Sequence, residues 1–505
     1  MTHVKDRLIF EESVAGRRGV KFPKNEFGAS FAAPEALAPA AHPFLPEVSE
    51  LDVVRHYTRL SQRTFGVDTG FYPLGSCTMK YNPRLTDAAA ALAGLAFIHP
   101  SQPPETVPGA IEMLAELSEW LCEVTGMDEY ALQPAAGAQG EFSGMLVFRK
   151  YFDHIGEPGR NIMIVPDSAH GTNPASANVA GFKVVEIKSD ERGLTDPAAV
   201  KVVIEKFGAE SIAGIMLTNP NTLGLFETHI LEIANLLHGA GALLYYDGAN
   251  LNALLGIVRP GDTGFDLMHL NTHKSFSTPH GGGGPGAGPI GVKAKLAPFL
   301  PGALFKRVGD EFNVVYPEHS IGRVKSWWGN FLVLVRAYAY LIHHGAPGLK
   351  RISENAIINA NYVQSRLKGY YDIPYFAHCM HEFVASAETL KRDFNVSAKD
   401  IDKKLLEEGF HAPTTYFPLI VHEALMIEPT ETESKETLDA FCDTMIGFIA
   451  RIKENADEFR KLNPLKLQIV HPDETKAARQ LVPRWFPVGT EPSADKAESK
   501  KTTEA

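Results

Sequence analysis

The chain has 505 residues, a net charge of -11 and a hydrophobic content of 44%, which allows two packed domains and disfavours a nucleic-acid partner. No apolar run is long enough to span a bilayer, and the amino-terminal stretch MTHVKDRLIFEE has acidic residues where a signal peptide needs apolar ones. The four cysteines form no CxxC pair, so we expect neither a zinc site nor a disulfide framework. These properties predict a reduced, soluble, cytoplasmic protein.

The first two regions of the chain differ in pattern. Residues 1–60 are rich in Pro and Ala with little periodicity, which predicts an arm that wraps a partner. In residues 61–330, short apolar runs alternate with helical stretches, the βαβ pattern of a large parallel-sheet domain. The predicted strands are Asn161–Val165, Lys183–Ile187, Ile212–Leu217, Leu243–Tyr246, Leu267–Leu270 and Pro289–Lys293. Predicted helices include Pro197–Phe207 and Thr228–Ala240. Open α/β sheets bind ligands where such strands end.

The carboxy-terminal part has a different pattern. Long helices followed by short strands and helices predict a smaller α+β domain over residues 331–487. Residues 488–505 lack apolar anchors, which predicts a disordered tail.

Two charged residues follow predicted strands. Lys274, in NTHKSF, is costly to bury unless it is neutralised, and an imine with an aldehyde cofactor neutralises it. Asp247, in YYDGA, meets the need of pyridoxal phosphate (PLP) for a carboxylate beside its ring nitrogen. Taken alone, Lys274 is more easily a surface lysine, and Asp247 is equally well a helix N-cap or turn residue.

A third element precedes both residues. The small-residue turn LQPAAGAQGE (132–141) leads into a helical stretch, and the N–H groups at a helix start suit a phosphate. Such a turn is more often only a tight connection. The order of phosphate turn, Asp247 and Lys274 along the chain is what favours a PLP site.

Two further motifs agree with this interpretation. His170, in DSAHGTN, follows a strand and is suited to stack on a pyridine face, although a lone His after a strand is more often structural. The segment HGGGGPG (280–286) has four consecutive glycines, which cost folding entropy and predict a loop that approaches the cofactor or substrate closely. The alternative is a flexible surface loop.

These motifs resemble one family. The stretch NTHKSFSTPHGGGGPGAGPIGVK is similar to the PLP-lysine segment of glycine dehydrogenase (decarboxylating), the P-protein of the glycine cleavage system. Eight further segments of the chain resemble the same family: YPLGSCTMKYNPR, FIHPSQPPE, AGAQGEFSGM, DSAHGTNPASA, YYDGANLNA, HEFV, FHAPTTYFP and MIEPTETES. The resemblance covers about residues 60–450 and is to the second subunit of the split form. One departure is Thr272, where an apolar residue is expected.

The resemblance implies a fold, a reaction and partners. The fold is α/β, of PLP-dependent transferase fold type I (aminotransferase-like). The reaction is decarboxylation of glycine, with transfer of the aminomethyl group to the lipoyl group of H-protein. The first subunit of the dehydrogenase is the other partner, in a heterotetramer with two copies of each chain. No metal is implied.

The resemblance also assigns roles to individual residues. The catalytic residues are Lys274, His170 and Asp247. Lys274 holds the cofactor, Asp247 keeps its ring nitrogen protonated, and His170 stacks on its ring. The remaining cofactor-binding residues are Ala138 and Gln139 at the phosphate, His273 nearby, Asn221 at the ring oxygen, and Ala249.

Other interpretations stay open. The loop Gly75-Ser76-Cys77-Thr78 is a candidate substrate-side or partner-side element, although a structural role is favoured for Cys77. Another fold type I enzyme, such as an amino-acid decarboxylase, also uses a His-Lys pair. A non-catalytic structural subunit would require loss of Lys274 or Asp247, and both are present. No motif identifies the group that binds the glycine carboxylate.

Overall fold

The structure is a computed structural model. It describes residues 7–28, 34, 37, 45–280, 286–463, 466–467, 472–481 and 485–486. The chain divides into two units, Met1–Gly66 with Gln468–Ala505, and Val67–Leu467. The predicted tail, residues 488–505, lies outside the described residues, as do residues 281–285 of the glycine-rich segment.

The secondary structure is mixed α and β. The α-helices are α1 (Glu50–Ser61), α2 (Arg84–Ala90), α3 (Ala93–Ala96), α4 (Pro108–Thr125), α5 (Gly137–His154), α6 (Thr172–Val179), α7 (Pro197–Phe207), α8 (Ile230–Gly239), α9 (Thr272–Ser275), α10 (Phe331–Leu367), α11 (Glu388–Phe394), α12 (Ala398–Glu407), α13 (Lys435–Arg460) and α14 (Glu474–Arg479). The strands are β1 (Glu129–Ala131), β2 (Ile162–Pro166), β3 (Lys183–Ile187), β4 (Ile212–Thr218), β5 (Leu243–Gly248), β6 (Leu267–Leu270), β7 (Ile290–Val292), β8 (Leu304–Val308), β9 (Glu311–Val315), β10 (Phe383–Ser386), β11 (Thr414–Thr415) and β12 (Ala424–Ile427). Short 3-10 helices occupy Ile9–Glu12, Pro104–Thr106, Ala209–Ser211, Leu251–Ala253, Pro260–Thr263 and Ala294–Phe299.

The unit of the two termini contains α1 and α14. Helix α1 begins after Ser49, whose hydroxyl accepts the Asp52 N–H at 3.1 Å in a capping box. In the same unit, the rings of Phe10 and Trp485 stack with their centroids 5.0 Å apart.

The large sheet of the second unit has seven strands in the order β1-β7-β6-β5-β4-β2-β3. Strands β3, β2, β4, β5 and β6 are parallel. Strand β7 runs antiparallel to both of its neighbours, β6 and β1, so the edge strand β1 has the same direction as the parallel strands. The central strands are apolar and buried along their whole length, since helices cover both faces. The carboxyl ends of β5 and β6 therefore meet at one edge, which carries the candidate site.

A smaller sheet follows the long helix α10. Strands β10, β12 and β11 form it in that order, all antiparallel, and helix α13 packs on α10, α11 and α12 beside it. Its core includes Phe383, Leu425, Phe441 and Phe448, each almost completely buried. The fold is therefore a large, mostly parallel sheet domain with a smaller α+β part at the carboxyl side.

The predicted elements of the large domain are confirmed. All six predicted strands are present with ends shifted by at most two residues, and so are the helices Pro197–Phe207 and Ile230–Gly239. The domain limits at residues 60 and 330 stay predictions. Within the described residues, no helix combines the length and apolarity that crossing a membrane requires.

Candidate active site

Lys274 lies in a single helical turn directly after strand β6. The Lys274 N–H donates to the carbonyl of Asn271, which begins this turn at the strand end. The side chain is buried, with 8% of the residue exposed. Its charge acts on the carboxyl groups of Glu141, Asp247, Glu382 and Glu428. Lys274 is therefore the cation among four buried acids.

Asp247 ends the neighbouring strand β5. The parallel register pairs Asp247 with His269 and Gly248 with Leu270, so the aspartate and the lysine turn lie at the same sheet edge. Its carboxylate accepts the Asn173 side-chain amide at 2.8 Å and the Ala249 N–H at 3.0 Å. Burial opposes ionisation, but His269, Ala249 and Lys274 together lower the pKa of Asp247. Asp247 is thus a buried carboxylate.

Behind Asp247 runs a short chain of buried polar groups. His269 Nε2 is 3.3 Å from Asp247 Oδ1, and His269 Nδ1 is 2.6 Å from the Tyr245 hydroxyl. Burial lowers the pKa of His269, which favours the neutral ring. A neutral ring that accepts from Tyr245 at Nδ1 carries its proton at Nε2 and donates it to Asp247. The arrangement fixes the carboxylate and supports its charge.

Glu141, in helix α5, is the second acid at this end of the site. Its Oε1 lies 2.9 Å from the Thr172 hydroxyl, whereas its buried Oε2 has no partner among the described residues. Burial, and next the charge of Asp247, raise the pKa of Glu141 to about 8. Thr172 also contacts His170 Nδ1 at 2.8 Å. Glu141 is therefore a protonated carboxyl at neutral pH.

His170 lies between strand β2 and helix α6. The residue is open to solvent, yet burial of the ring lowers the pKa of His170. The charge of Asp247 opposes this effect, and the charge of Lys274 adds a smaller contribution to it. Its ring meets that of Phe417 edge-on at 5.5 Å between centroids. The imidazole is neutral and stands at the opening of the site.

The turn that was predicted to bind phosphate coincides with the start of helix α5. No side chain caps Ala136, and the first N–H groups of a helix have no partner within it. The turn is held from outside, because Gln139 accepts the Ala135 N–H at 2.6 Å and donates to the Val324 carbonyl at 2.5 Å. A side chain on Gly137 would come within 2.3 Å of Asn271 Oδ1, so only glycine lets this helix start approach the lysine turn.

The histidine beside Lys274, His273, lies close to His280 and Gly286. Burial and the nearby Lys274 lower the pKa of His273 to about 3, and its Nδ1 has no partner among the described residues. The His280 ring lies 5.0 Å from it. Thr272 donates its hydroxyl to the Ala287 carbonyl at 3.3 Å, which satisfies the polar group that replaces the expected apolar residue.

The predicted residue Asn221 is engaged in its own loop. Its side-chain amide donates to the Gly193 carbonyl at 2.9 Å and to Glu227 Oε1 at 3.0 Å. Its oxygen accepts the N–H groups of Leu223 and Leu225. A contact between Asn221 and the ring oxygen of the cofactor would require this loop to rearrange. The contact therefore stays a prediction.

The loop Gly75–Thr78 is also near the lysine, since the charge of Lys274 acts on Cys77. Ser76 and Thr78 have φ angles of 59° and 50°, a left-handed conformation that is unusual outside glycine. Glu382 accepts the Ser76 N–H at 2.7 Å, and Glu428 accepts the Thr78 N–H at 2.9 Å and the Thr78 hydroxyl at 2.6 Å. Two buried acids of the small sheet thus hold this loop.

Lys80 ties the same loop to the lysine turn. Its ammonium group is buried and lies 2.8 Å from Glu431, and it donates to the Ser275 carbonyl and the Tyr340 hydroxyl at 3.3 Å. Although burial opposes its charge, Glu431 and Tyr340 raise the pKa of Lys80. The site therefore has a second buried lysine, but the ammonium group of Lys80 already has three hydrogen-bond partners.

Comparison with known proteins places the chain in a family. One relative is the Desulforamulus reducens protein named "probable glycine dehydrogenase (decarboxylating) subunit 2". It is 54% identical to this chain, over 95% of this chain and 99% of its own length. The protein of the same name from Thermotoga maritima is 52% identical over 94% of this chain and 99% of its own. The chain belongs to the glycine dehydrogenase (decarboxylating) subunit 2 family.

Two further comparisons agree with membership of the subunit 2 family. The family model "Glycine dehydrogenase, C-terminal domain" matches residues 352–468. A solved glycine decarboxylase (P-protein) of the glycine cleavage system, in inhibitor-bound form, has a TM-score of 0.67 and 21% identity, covering 82% of this chain and 92% of that chain. A sphingosine-1-phosphate lyase of Burkholderia pseudomallei has a TM-score of 0.60 and 15% identity, covering 86% of this chain and 95% of that chain. These likenesses confirm fold type I.

Several polar residues of this subunit 2 site were not predicted from sequence. They are Glu141, Asn173, Tyr245, His269, His381, Glu382, Glu428 and Lys80. One signal was available: His269 interrupts the apolar strand LMHL, and it pairs with Asp247 once the two strands are aligned in parallel. Glu382 lies in the quoted HEFV motif and Glu428 in MIEPTETES, but neither motif alone indicates what its acid contacts.

Proposed function

We propose that the chain decarboxylates glycine and transfers its aminomethyl group to the lipoyl group of H-protein, using PLP held at Lys274. The observation that carries the proposal is the pairing of a buried lysine with an ionised Asp247 at the ends of adjacent parallel strands. The relatives' names supply the substrate, and their designation as subunit 2 supports a partner subunit 1.

The residues fit PLP at three points. Asp247 is an ionised acid, held by Asn173 and Ala249, that suits a protonated ring nitrogen. The uncapped start of α5, at Ala138 and Gln139, suits a phosphate, and the unpartnered Nδ1 of His273 is available nearby. Lys274 is near both, because its turn begins at Asn271, which lies against Gly137 of the helix start, and its charge acts on Asp247. When bound, PLP supplies an electron-poor ring that accepts the electron pair of the broken Cα–carboxylate bond.

The protein's own groups provide position and polarity. Asp247, supported by His269, would keep the ring nitrogen of bound PLP protonated. We assign to His170 the role of covering the ring face at the opening, as a neutral imidazole. Neutral histidines and protonated carboxyls surround the rest of the site, so a substrate carboxylate meets little stabilising charge besides Lys274. A site of this kind favours departure of the carboxylate as uncharged CO2.

The proposal also includes the subunit assembly, the cellular location and the limit of the large domain. The resemblance supports a heterotetramer with two copies of each subunit and a cytoplasmic location. A limit of the large domain near residue 330 is supported by the start of α10 at Phe331. The alternative is an amino-acid decarboxylase without a lipoyl acceptor. It differs from the proposed enzyme in its product, which is a free amine.

The test is exchange of labelled bicarbonate into the carboxyl group of glycine. The chain is mixed with subunit 1 and lipoylated H-protein, and wild type is compared with Lys274→Ala. We expect exchange that requires lipoylated H-protein and is lost in the variant. Release of methylamine from glycine without H-protein would instead establish the decarboxylase alternative.

A further inference from the structure

Three polar side chains form a continuous chain of short contacts at the opening of the site. The Thr172 hydroxyl lies 2.9 Å from Glu141 Oε1 and 2.8 Å from His170 Nδ1. The backbone N–H of Thr172 points at the same Nδ1 from 3.3 Å. Within the described residues, the other ring nitrogen of His170, Nε2, has no hydrogen-bond partner. The positions of the protons in this chain can therefore be worked out from its contacts.

The Thr172 hydroxyl has a single proton but takes part in two short contacts. A contact of less than about 3 Å needs one proton between its two atoms, because two lone pairs at that distance repel each other. If Glu141 is protonated, its O–H donates to Thr172, and Thr172 donates to His170. If Glu141 is ionised, Thr172 donates to the carboxylate, and Nδ1 of His170 must supply the missing proton. The state of Glu141 thus decides which ring nitrogen of His170 carries the hydrogen.

Two observations outside these contacts favour a protonated Glu141. An oxygen of Glu141, an oxygen of Asp247 and a nitrogen of His269 all lie within 4.8 Å of one another, so the ionised Asp247 opposes a second negative charge. Helix α6 begins at Thr172, and its N-cap, Gly171, has no side chain to accept the first N–H groups. Nδ1 of His170 accepts the Thr172 N–H, and it can do so only while it carries no hydrogen.

The charges around Glu141 agree with this assignment. The titratable groups that face it within the described residues are Tyr245 and Asp247 of strand β5, His269 of β6, Lys274 and His170. Burial, and next the charge of Asp247, raise the pKa of Glu141 to about 8, although Thr172 and Lys274 oppose this. Burial lowers the pKa of His170, and the positive end of helix α6 also disfavours a charged ring there. Glu141 is therefore the member of the chain that changes its charge in mildly alkaline solution.

We propose that Glu141 and Thr172 are positioning residues: the carboxyl of Glu141 donates to the Thr172 hydroxyl, which donates to Nδ1 of His170 and fixes the ring hydrogen on Nε2. This inference rests on the proposed function, in which His170 covers the ring face of the cofactor. The two donors at Nδ1 hold the imidazole in one orientation. Ionisation of Glu141 releases its proton to solvent and reverses the chain, and the His170 hydrogen moves to Nδ1 by exchange with water. The net change is the single proton that Glu141 loses.

The test locates the hydrogen of His170 as the pH is raised. We would record NMR spectra of the full chain with isotope-labelled histidine nitrogens, whose chemical shifts distinguish an N–H from a bare nitrogen. The signal of His170 is the one that His170→Gln lacks. We expect the hydrogen on Nε2 at neutral pH, and on Nδ1 once the pH has passed about 8. In Glu141→Gln the side-chain amide donates to Thr172 at every pH, so we expect the hydrogen to stay on Nε2.

Variants of Thr172 separate the hydroxyl from the fold. Thr172→Ser keeps the hydroxyl and should show the wild-type change of ring nitrogen, whereas Thr172→Val has nearly the same shape and should show none. A matched control is Asp402 of helix α12, another buried carboxyl that contacts a threonine hydroxyl, that of Thr415. Asp402→Asn should behave as wild type. Circular dichroism establishes that each variant folds, and the Thr172 variants test the inference even if Glu141→Gln does not.

Glycine exchange is the second measurement. We expect wild-type exchange to fall above about pH 8, by about tenfold at one unit above the pKa of Glu141, and Glu141→Gln to lack this decline. A His170 hydrogen that stays on one nitrogen in wild type would overturn the inference, and so would a change that persists in Glu141→Gln. Wild-type exchange that continues unaltered through the change would remove the positioning role. A change of ring nitrogen as expected, without any exchange in the complete system, would contradict the proposed function alone.

Discussion

The two acidic regions beside Lys274 contain the same chemical group in opposite states. Asp247, at the end of the large sheet, has His269, Asn173 and Ala249 around it, and its pKa is lowered despite burial. Burial raises the pKa values of Glu382 and Glu428, at one end of the small sheet, and a neighbouring acid adds to this effect, Glu428 for Glu382 and Glu431 for Glu428. Burial is common to both regions. The partners therefore decide which acid is charged, and Asp247 is the one that keeps a permanent charge.

The largest expected effect concerns a third acid beside the small sheet, Glu431, which is neutralised by Lys80. Lys80→Met leaves a buried carboxylate without its cation, and we expect a loss of about 3–5 kcal/mol of stability. Thermal unfolding of the full chain measures it. The matched variant Lys350→Met removes an exposed pair with Glu354 and should cost at most about 0.5 kcal/mol. Equal midpoints for the two variants would show that Lys80 is not a buried ion-pair partner.

The next effect tests the permanent charge. Asp247→Asn keeps the size and hydrogen-bonding oxygen of the side chain but removes its charge, and we expect glycine exchange to fall at least about 100-fold, or about 2.7 kcal/mol. Asp402→Asn, which is remote from Lys274, serves as the control. Exchange within about threefold of wild type in the Asp247 variant would mean that the ring nitrogen needs no carboxylate here.

A smaller effect is expected when Asp247 is kept but its contact with His269 is removed. In His269→Gln, the pKa of Asp247 rises from its lowered position, because the imidazole no longer stabilises the carboxylate. Activity then fails at a higher pH as the solution is acidified, and exchange at neutral pH falls by about tenfold. The pH profile of exchange is the measurement. An acidic limb at the wild-type position would show that His269 does not act through Asp247.

The smallest expected effect is a gain in stability. Since the folded chain keeps a proton on the pair where the unfolded chain has lost it, stability falls as pH rises through the raised pKa values. Glu428→Gln removes part of this loss, although its single amide oxygen keeps only one of the two acceptor positions that face Thr78. We therefore expect its unfolding temperature to rise relative to that of wild type, by about 1–2 °C, as the pH increases. A gain that instead grows toward acid pH would contradict the assignment of a protonated pair.

The contrast between the two regions also shows what the sequence can predict. Six of the seven strands of the large sheet were predicted as short, mostly apolar runs, whereas the three-residue strand β1 was not. Asp247 lies at the end of one predicted run and Lys274 shortly after another, which made both residues candidates. The glutamate pair was not, because its contacts join residues 306 and 350 positions apart, Ser76 with Glu382 and Thr78 with Glu428. Their roles follow from the fold that brings the two sheets together around one lysine. No local pattern encodes that contact.

The identity of the lysine is the most direct test of the whole interpretation. The chain has two buried lysines at the site, Lys274 and Lys80, and Lys80 is bound by Glu431, Ser275 and Tyr340. We would reduce the PLP-loaded chain with borohydride, digest it and locate the labelled peptide by mass spectrometry. We expect the label on Lys274 and none on Lys80. Label on Lys80, or on a lysine outside the site, would contradict the proposed chemistry.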